Sequence, residues 1–178
     1  ALAVHNEIEY KSLNLKINDG NKNVIIASDL VESFVKENKI EKYKVNFSIE
    51  GHELTNTFCK HTLYDSGYNF EVPILHGDFV TTEQGTGIVH ICPVHGMDDF
   101  ILGKQHDLEL PMTINESGIY YDHIPVFNGQ HIFKVDQNVC DEIKKNNNLI
   151  SQGILVHSYP HSWSCLLYTS PSPRDFTE

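Results

Sequence analysis

Apolar residues in this chain recur mostly in short runs that alternate with polar ones. That pattern confines it to a fold made of many short β-strands. Ile8–Leu15 alternates roughly and ends at an Asn-Asp-Gly-Asn turn over residues 18–21. Asn23–Ala27 reads as a second strand, and Tyr43–Ile49 sets Tyr, Val, Phe and Ile against polar neighbours as a half-buried strand. Further short strands are expected at 71–75, 78–81 and 87–91, and a last one at Gly153–His157. Three segments have helical spacing instead. The first is Asp29–Lys36, behind the candidate N-cap Ser28. The second is 98–106. The third is Asp136–Lys145, with Val139 and Ile143 on its apolar side and two lysines at its C-terminus. Many strands with three short helices and no internal repeat predict a mainly β fold. The expected form is a β-barrel with peripheral helices rather than a βαβ sheet.

A length of 178 residues suits one domain with a real core. No apolar run approaches the roughly 20 residues of a membrane span, and no secretory signal is visible. The expected location is therefore the cytoplasm, with no membrane partner. Cys59, Cys92, Cys140 and Cys165 form no C-x-x-C pair and read as free thiols of a reducing compartment. The net charge of −11 opposes autonomous grip on a phosphate backbone, so a nucleic-acid partner would be held by an end. The string Cys165–Asp175 departs from the composition before it. It reads as the translation of a sequencing adapter rather than as a native Ser/Pro-rich tail, and 164–178 is set aside as non-native.

Chemistry concentrates in Gly85–Phe100, Gly-Thr-Gly-Ile-Val-His-Ile-Cys-Pro-Val-His-Gly-Met-Asp-Asp-Phe. Its glycines let a ligand approach backbone closely, and its strand–loop–helix order offers free N–H groups at a helix start, with Asp98 at or near the N-cap. His90, His95, Asp98 and Asp99 are also ligand types for a divalent cation, so a metal-dependent hydrolase is one reading. The spacing matches no metal motif, however, and Pro93 keeps the two histidines off one helix face. A non-catalytic module that holds an RNA end is another reading.

Asp78–Phe100, with its Gly-Thr-Gly, His90 and Asp98-Asp99, resembles the editing domain of isoleucyl-tRNA synthetases. So do Ala1–Val4 with Glu7–Tyr10, and His157-Ser-Tyr-Pro-His-Ser-Trp163. Leucyl and valyl relatives share the Gly-Thr-Gly and the later aspartate but differ where His90 stands. The resemblance implies a closed β-barrel editing domain over 1–156, a return to the synthetic domain over 157–163, and a barrel incomplete at its N-terminal edge. The family's threonine-rich strand is expected just before Ala1, so the isolated chain is expected to have little activity. The implied reaction is hydrolysis of the ester joining valine to the 3′ end of tRNA(Ile). One missing methylene is worth only about 1–3 kcal/mol, and the isoleucine–valine pair is itself the worked case of that limit.

The implied roles follow residue by residue. Asp99 binds the α-ammonium of the misattached amino acid and orients the ester toward water. His90 walls the side-chain pocket. Gly85 and Gly87 let substrate approach the backbone, and Thr86 offers a hydroxyl. His95 and Gly96 shape the loop. Asp98, an N-cap by residue type, completes the substrate-binding set. No metal and no cofactor is implied for this domain, since ATP and Mg belong to the synthetic domain. The implied partners are the aminoacylated tRNA end, valine and the rest of the synthetase chain.

Overall fold

The computed structural model describes residues 1–17, 20–83 and 85–153. Among them the chain runs β1 (Leu2–Val4), β2 (Glu9–Ile17), β3 (Gly20–Ala27), α1 (Val31–Glu37), β4 (Lys42–Glu50), α2 (Gly51–Leu54), β5 (Phe58–Lys60), β6 (Glu71–His76), β7 (Val89–His90), α3 (Met97–Gln105) and α4 (Asp136–Lys145). The expected strand at Gly153–His157, the segment 157–163 and the C-terminal tail lie outside the described residues.

Strand β2 organises one sheet. It pairs antiparallel with β3 on one side and β4 on the other. Its alternation is a working two-face pattern: Leu13 and Leu15 are fully buried, whereas Lys16 is exposed. Between Ser12 and Leu13 the register to β4 shifts, because Ser12 faces Phe47 while Leu13 faces Val45. Asn46 is the extra residue, a bulge that bends the strand. The second sheet has the order β5-β6-β1-β7, with β1 parallel to β6 and antiparallel to β7.

The expected closed barrel is not formed among the described residues: the strands divide into two sheets. The reason lies between Val4 and Glu9. There the chain turns, so that β1 and β2, neighbours in sequence, serve different sheets. No continuous ladder joins the two. The Ala27 N–H, at the end of β3, donates to Thr86 O in the loop ahead of β7 at 2.9 Å; Gly51 N–H to Ile8 O at 2.9 Å carries the β2–β4 pairing one residue further, and His52 N–H to Asn6 O at 3.1 Å ties α2 to the turn between β1 and β2.

Three apolar clusters carry the packing. Val4, Tyr10, Leu13, Leu15, Ile26 and Leu30 gather where the β2 sheet meets α1. Ala3, Leu75, Val80, Ile91 and Leu102 sit between the second sheet and α3. Leu63, Ile124, Phe127 and Val135 form a third, on which α4 lays Val139 and Ile143 as its spacing predicts.

Several local expectations change. Residues 78–81 are a turn, closed by Val80 N–H to Gly77 O at 3.1 Å, and Val80 is apolar because it plugs the second cluster. The strand at 87–91 contracts to Val89–His90, since Gly87 at φ +71° leaves extended conformation. Strand β4 is an edge strand, and its Val45 and Phe47 stay 43% and 53% exposed instead of half-buried. Ser28 caps no helix. Its hydroxyl donates to the Glu9 carboxylate at 2.6 Å, and Ser28–Leu30 makes a 3-10 turn ahead of α1. Strands β1 and β5 escape sequence reading because three residues are too few to show a period. Cys59, Cys92 and Cys140 are free thiols, and no helix among the described residues is long and apolar enough to cross a membrane.

Candidate functional site

The glycine loop is anchored before it is a site. Tyr10, fully buried, donates its hydroxyl to Gly87 O at 2.8 Å and accepts from His5 N–H at 3.2 Å. A Cβ on Gly87 would lie 2.5 Å from Ala27 Cβ, and the residue sits at φ +71°, so both space and backbone require glycine. Gly87 is thus closed off by Ala27 and Tyr10, whereas Gly85, also at positive φ, is exposed with open space around it. Thr86 turns its hydroxyl to its own loop, within 3.3 Å of Ile88 O.

From this anchor β7 carries His90 opposite Leu2, and a turn closed by His95 N–H to Cys92 O at 3.0 Å leads into α3. His95 is exposed. The N-cap of α3 is Gly96, not Asp98, and no side chain caps the helix. Gly96 has φ −131°, open to any residue, but a Cβ there would lie 2.1 Å from Asp99 Oδ2. The Asp99 carboxylate therefore lies over the Gly96 Cα, at the positive end of the helix dipole, and is half-buried. Asp98 is exposed in the same first turn.

Asp99 and His90 feel one another's charge. Partial burial pushes the His90 pKa down, and Asp99 pulls it back up. His90 accordingly favours its neutral form near neutral pH. Burial raises the Cys92 thiol pKa, and Asp99 adds to that rise, which disfavours the thiolate form. Sequence reading missed His61, whose pKa falls through burial first and then through His90. Its ring stacks on Tyr68 at 4.7 Å and tilts against Phe70 at 5.1 Å. No local spacing signals that neighbour, because the second sheet's fold brings it close. Among the described residues no three His, Cys, Asp or Glu side chains are arranged to hold a metal ion, so the four-ligand reading of His90, His95, Asp98 and Asp99 finds no support.

The sequence profile described as the leucyl-tRNA synthetase editing domain matches residues 8–158. The chain belongs to that family. Among curated relatives, the isoleucine–tRNA ligase of Pelagibacter ubique is 40% identical over 166 residues, covering 92% of this chain and 18% of the relative. That of Colwellia psychrerythraea is 38% identical over 163 residues, covering 92% and 17%. This editing-domain chain thus spans under a fifth of the length of the curated relatives it matches. A solved structure titled as the crystal structure of GlLeuRS-CP1 superposes with a TM-score of 0.62 at 15% identity, covering 90% of this chain and 78% of the other. The fold of the editing-domain chain is therefore that of a synthetase editing domain, with its strands arranged as two sheets.

Proposed function

We propose that this domain hydrolyses the ester of valine misattached to tRNA(Ile), within a cytoplasmic isoleucyl-tRNA synthetase. The observation that carries the reading is Asp99: a half-buried carboxylate at the open end of α3, within electrostatic reach of His90, in a chain of an editing-domain family. A carboxylate there suits the α-ammonium of an aminoacyl ester, since a charge-assisted contact in a partly desolvated site both binds and orients. With the ammonium held, the ester carbonyl is presented to water, and much of the rate comes from orientation rather than from a strong base. A neutral imidazole at His90 then lines the side-chain pocket without repelling the ammonium, and valine fits where isoleucine is too large.

The reaction balances with water alone. Water adds to the ester carbonyl, the bond to the 3′-terminal ribose oxygen breaks, and free valine and deacylated tRNA leave. Gly85 and Gly87, Thr86, His95, Gly96 and Asp98 frame this site rather than react. The remaining partners are the tRNA 3′ end and the rest of the synthetase chain. The test is Asp99→Ala in a full-length synthetase carrying this domain. Val-tRNA(Ile) should then accumulate while Ile-tRNA(Ile) formation continues. Undiminished ester hydrolysis would remove Asp99 from the mechanism.

A further inference from the structure

Strand β2 turns Ser12, Asn14 and Lys16 to one face of its sheet, since alternate residues share a face. Its partners extend that face. Lys42 stands directly opposite Lys16 and Lys44 opposite Asn14 on β4, while Asn23 stands opposite Asn14 on β3. Lys16, Lys42, Lys44 and Asn23 are exposed. The amides tie together: Asn14 Nδ2 donates to Asn23 Oδ1 at 2.8 Å, and Asn46 Nδ2 reaches the same oxygen and Ser12 Oγ at 3.4 Å each. None of these positions is acidic, in a chain of net charge −11.

Setting lysine opposite lysine does not stabilise the sheet. Like charges directly opposite on a sheet are destabilising, and Lys16 faces Lys42. Three ammonium groups on one amide-rich face suit an external anion. Phe47, facing Ser12 further along the same face, is 53% exposed and offers a ring to an unpaired base. Beyond it the face closes at Tyr10, whose hydroxyl holds Gly87. At a strand rise of about 3.3 Å per residue, Lys16 lies roughly 20 Å from Tyr10.

We propose that this face, lysines first and then Phe47, is a track for single-stranded RNA that leads its 3′ end to the Gly85–Gly87 loop. The proposal rests on the editing reading for what happens at the end of the track, but RNA binding is measured separately from hydrolysis.

The experiment is fluorescence anisotropy of a short labelled single-stranded RNA oligonucleotide with the full chain, across a salt series. Replacing Lys16, Lys42 and Lys44 together by Gln should weaken binding and reduce the slope of log affinity against log salt by roughly 2. Phe47→Ala should weaken binding roughly five- to a hundredfold with the slope unchanged. Because the opposed lysines repel, the triple variant should unfold at the same or higher denaturant concentration, which keeps a folding defect from imitating the result. Equal affinity and slope in the triple variant would overturn the track and leave the lysines as guards of an exposed edge. A chain that binds no RNA at all would overturn it equally. Either of these results would leave Asp99-dependent hydrolysis standing. Hydrolysis that stays intact in Asp99→Ala would fail the editing reading alone.

Discussion

The joint around Tyr10 holds one end of Gly85–Phe100 through Gly87, and the first turn of α3 forms the other end, yet the two are built on opposite terms. At the joint, space is exhausted. Tyr10 is fully buried, Gly87 presses on Ala27, and a Cβ on Gly51 would lie 1.9 Å from the His5 carbonyl oxygen. At α3 the helix begins without a side-chain cap, and Met97, His95 and Asp98 are exposed. Residues at the joint are dictated by packing. At the helix start His95, Met97 and Asp98 stand exposed and are not dictated by packing in that way.

The largest expected effect falls on the joint. Gly51→Ala drives a methyl into backbone, which cannot yield as a flexible side chain would, and should cost about 3 kcal/mol or more. Urea denaturation of the chain checks it, and a near-neutral result would mean that the backbone at His5 can move away from Gly51. Tyr10→Phe comes next. It leaves Gly87 O without its buried donor and removes the acceptor of His5 N–H, for an expected loss of about 1–3 kcal/mol. Loss below that range would assign the joint's strength to ring packing instead.

A smaller effect separates the open region from the joint by pH. Burial, first among the causes, lowers the pKa of both His61 and His90. A depressed histidine binds its proton less readily folded than unfolded. Its contribution to stability is therefore intact above the unfolded value near 6.5 and is lost as pH falls through the lower folded values. Denaturation midpoints should fall over that window, and His61→Gln should flatten the fall. Midpoints that stay level from neutral to mildly acid pH would contradict the desolvation that lowers these two pKa values.

Sequence reading succeeded where one period ran long enough. Strands β2 and β4 and the whole of α4 were legible because alternation or helical spacing ran long, while β3 was legible only over Asn23–Ala27 and extends back to Gly20, and β6 was legible one residue short. It failed where tertiary packing chose the conformation. Val80 looks like strand and is a plug, Ser28 looks like a cap and serves Glu9, and the barrel suggested by strand count divides at the turn after Val4. The site was legible as a string of residue types in Gly85–Phe100. The roles of its glycines were not. Gly87 is needed for its contact with Ala27, while the space over Gly96 holds the Asp99 carboxylate, and no local pattern distinguishes the two. His61 was invisible for the same reason.

Asp98 and Asp99 adjoin in sequence and share one helical turn, one exposed and the other folded half-buried over Gly96. The most direct measurement is the rate of ester loss from Val-tRNA(Ile) in a full-length synthetase of this family carrying Asp98→Ala or Asp99→Ala, alongside each variant's melting temperature. Hydrolysis should survive Asp98→Ala and collapse in Asp99→Ala, with both variants about as stable as the parent. Equal hydrolysis in the two variants, or loss that follows melting temperature, would contradict the assignment of the chemistry to Asp99.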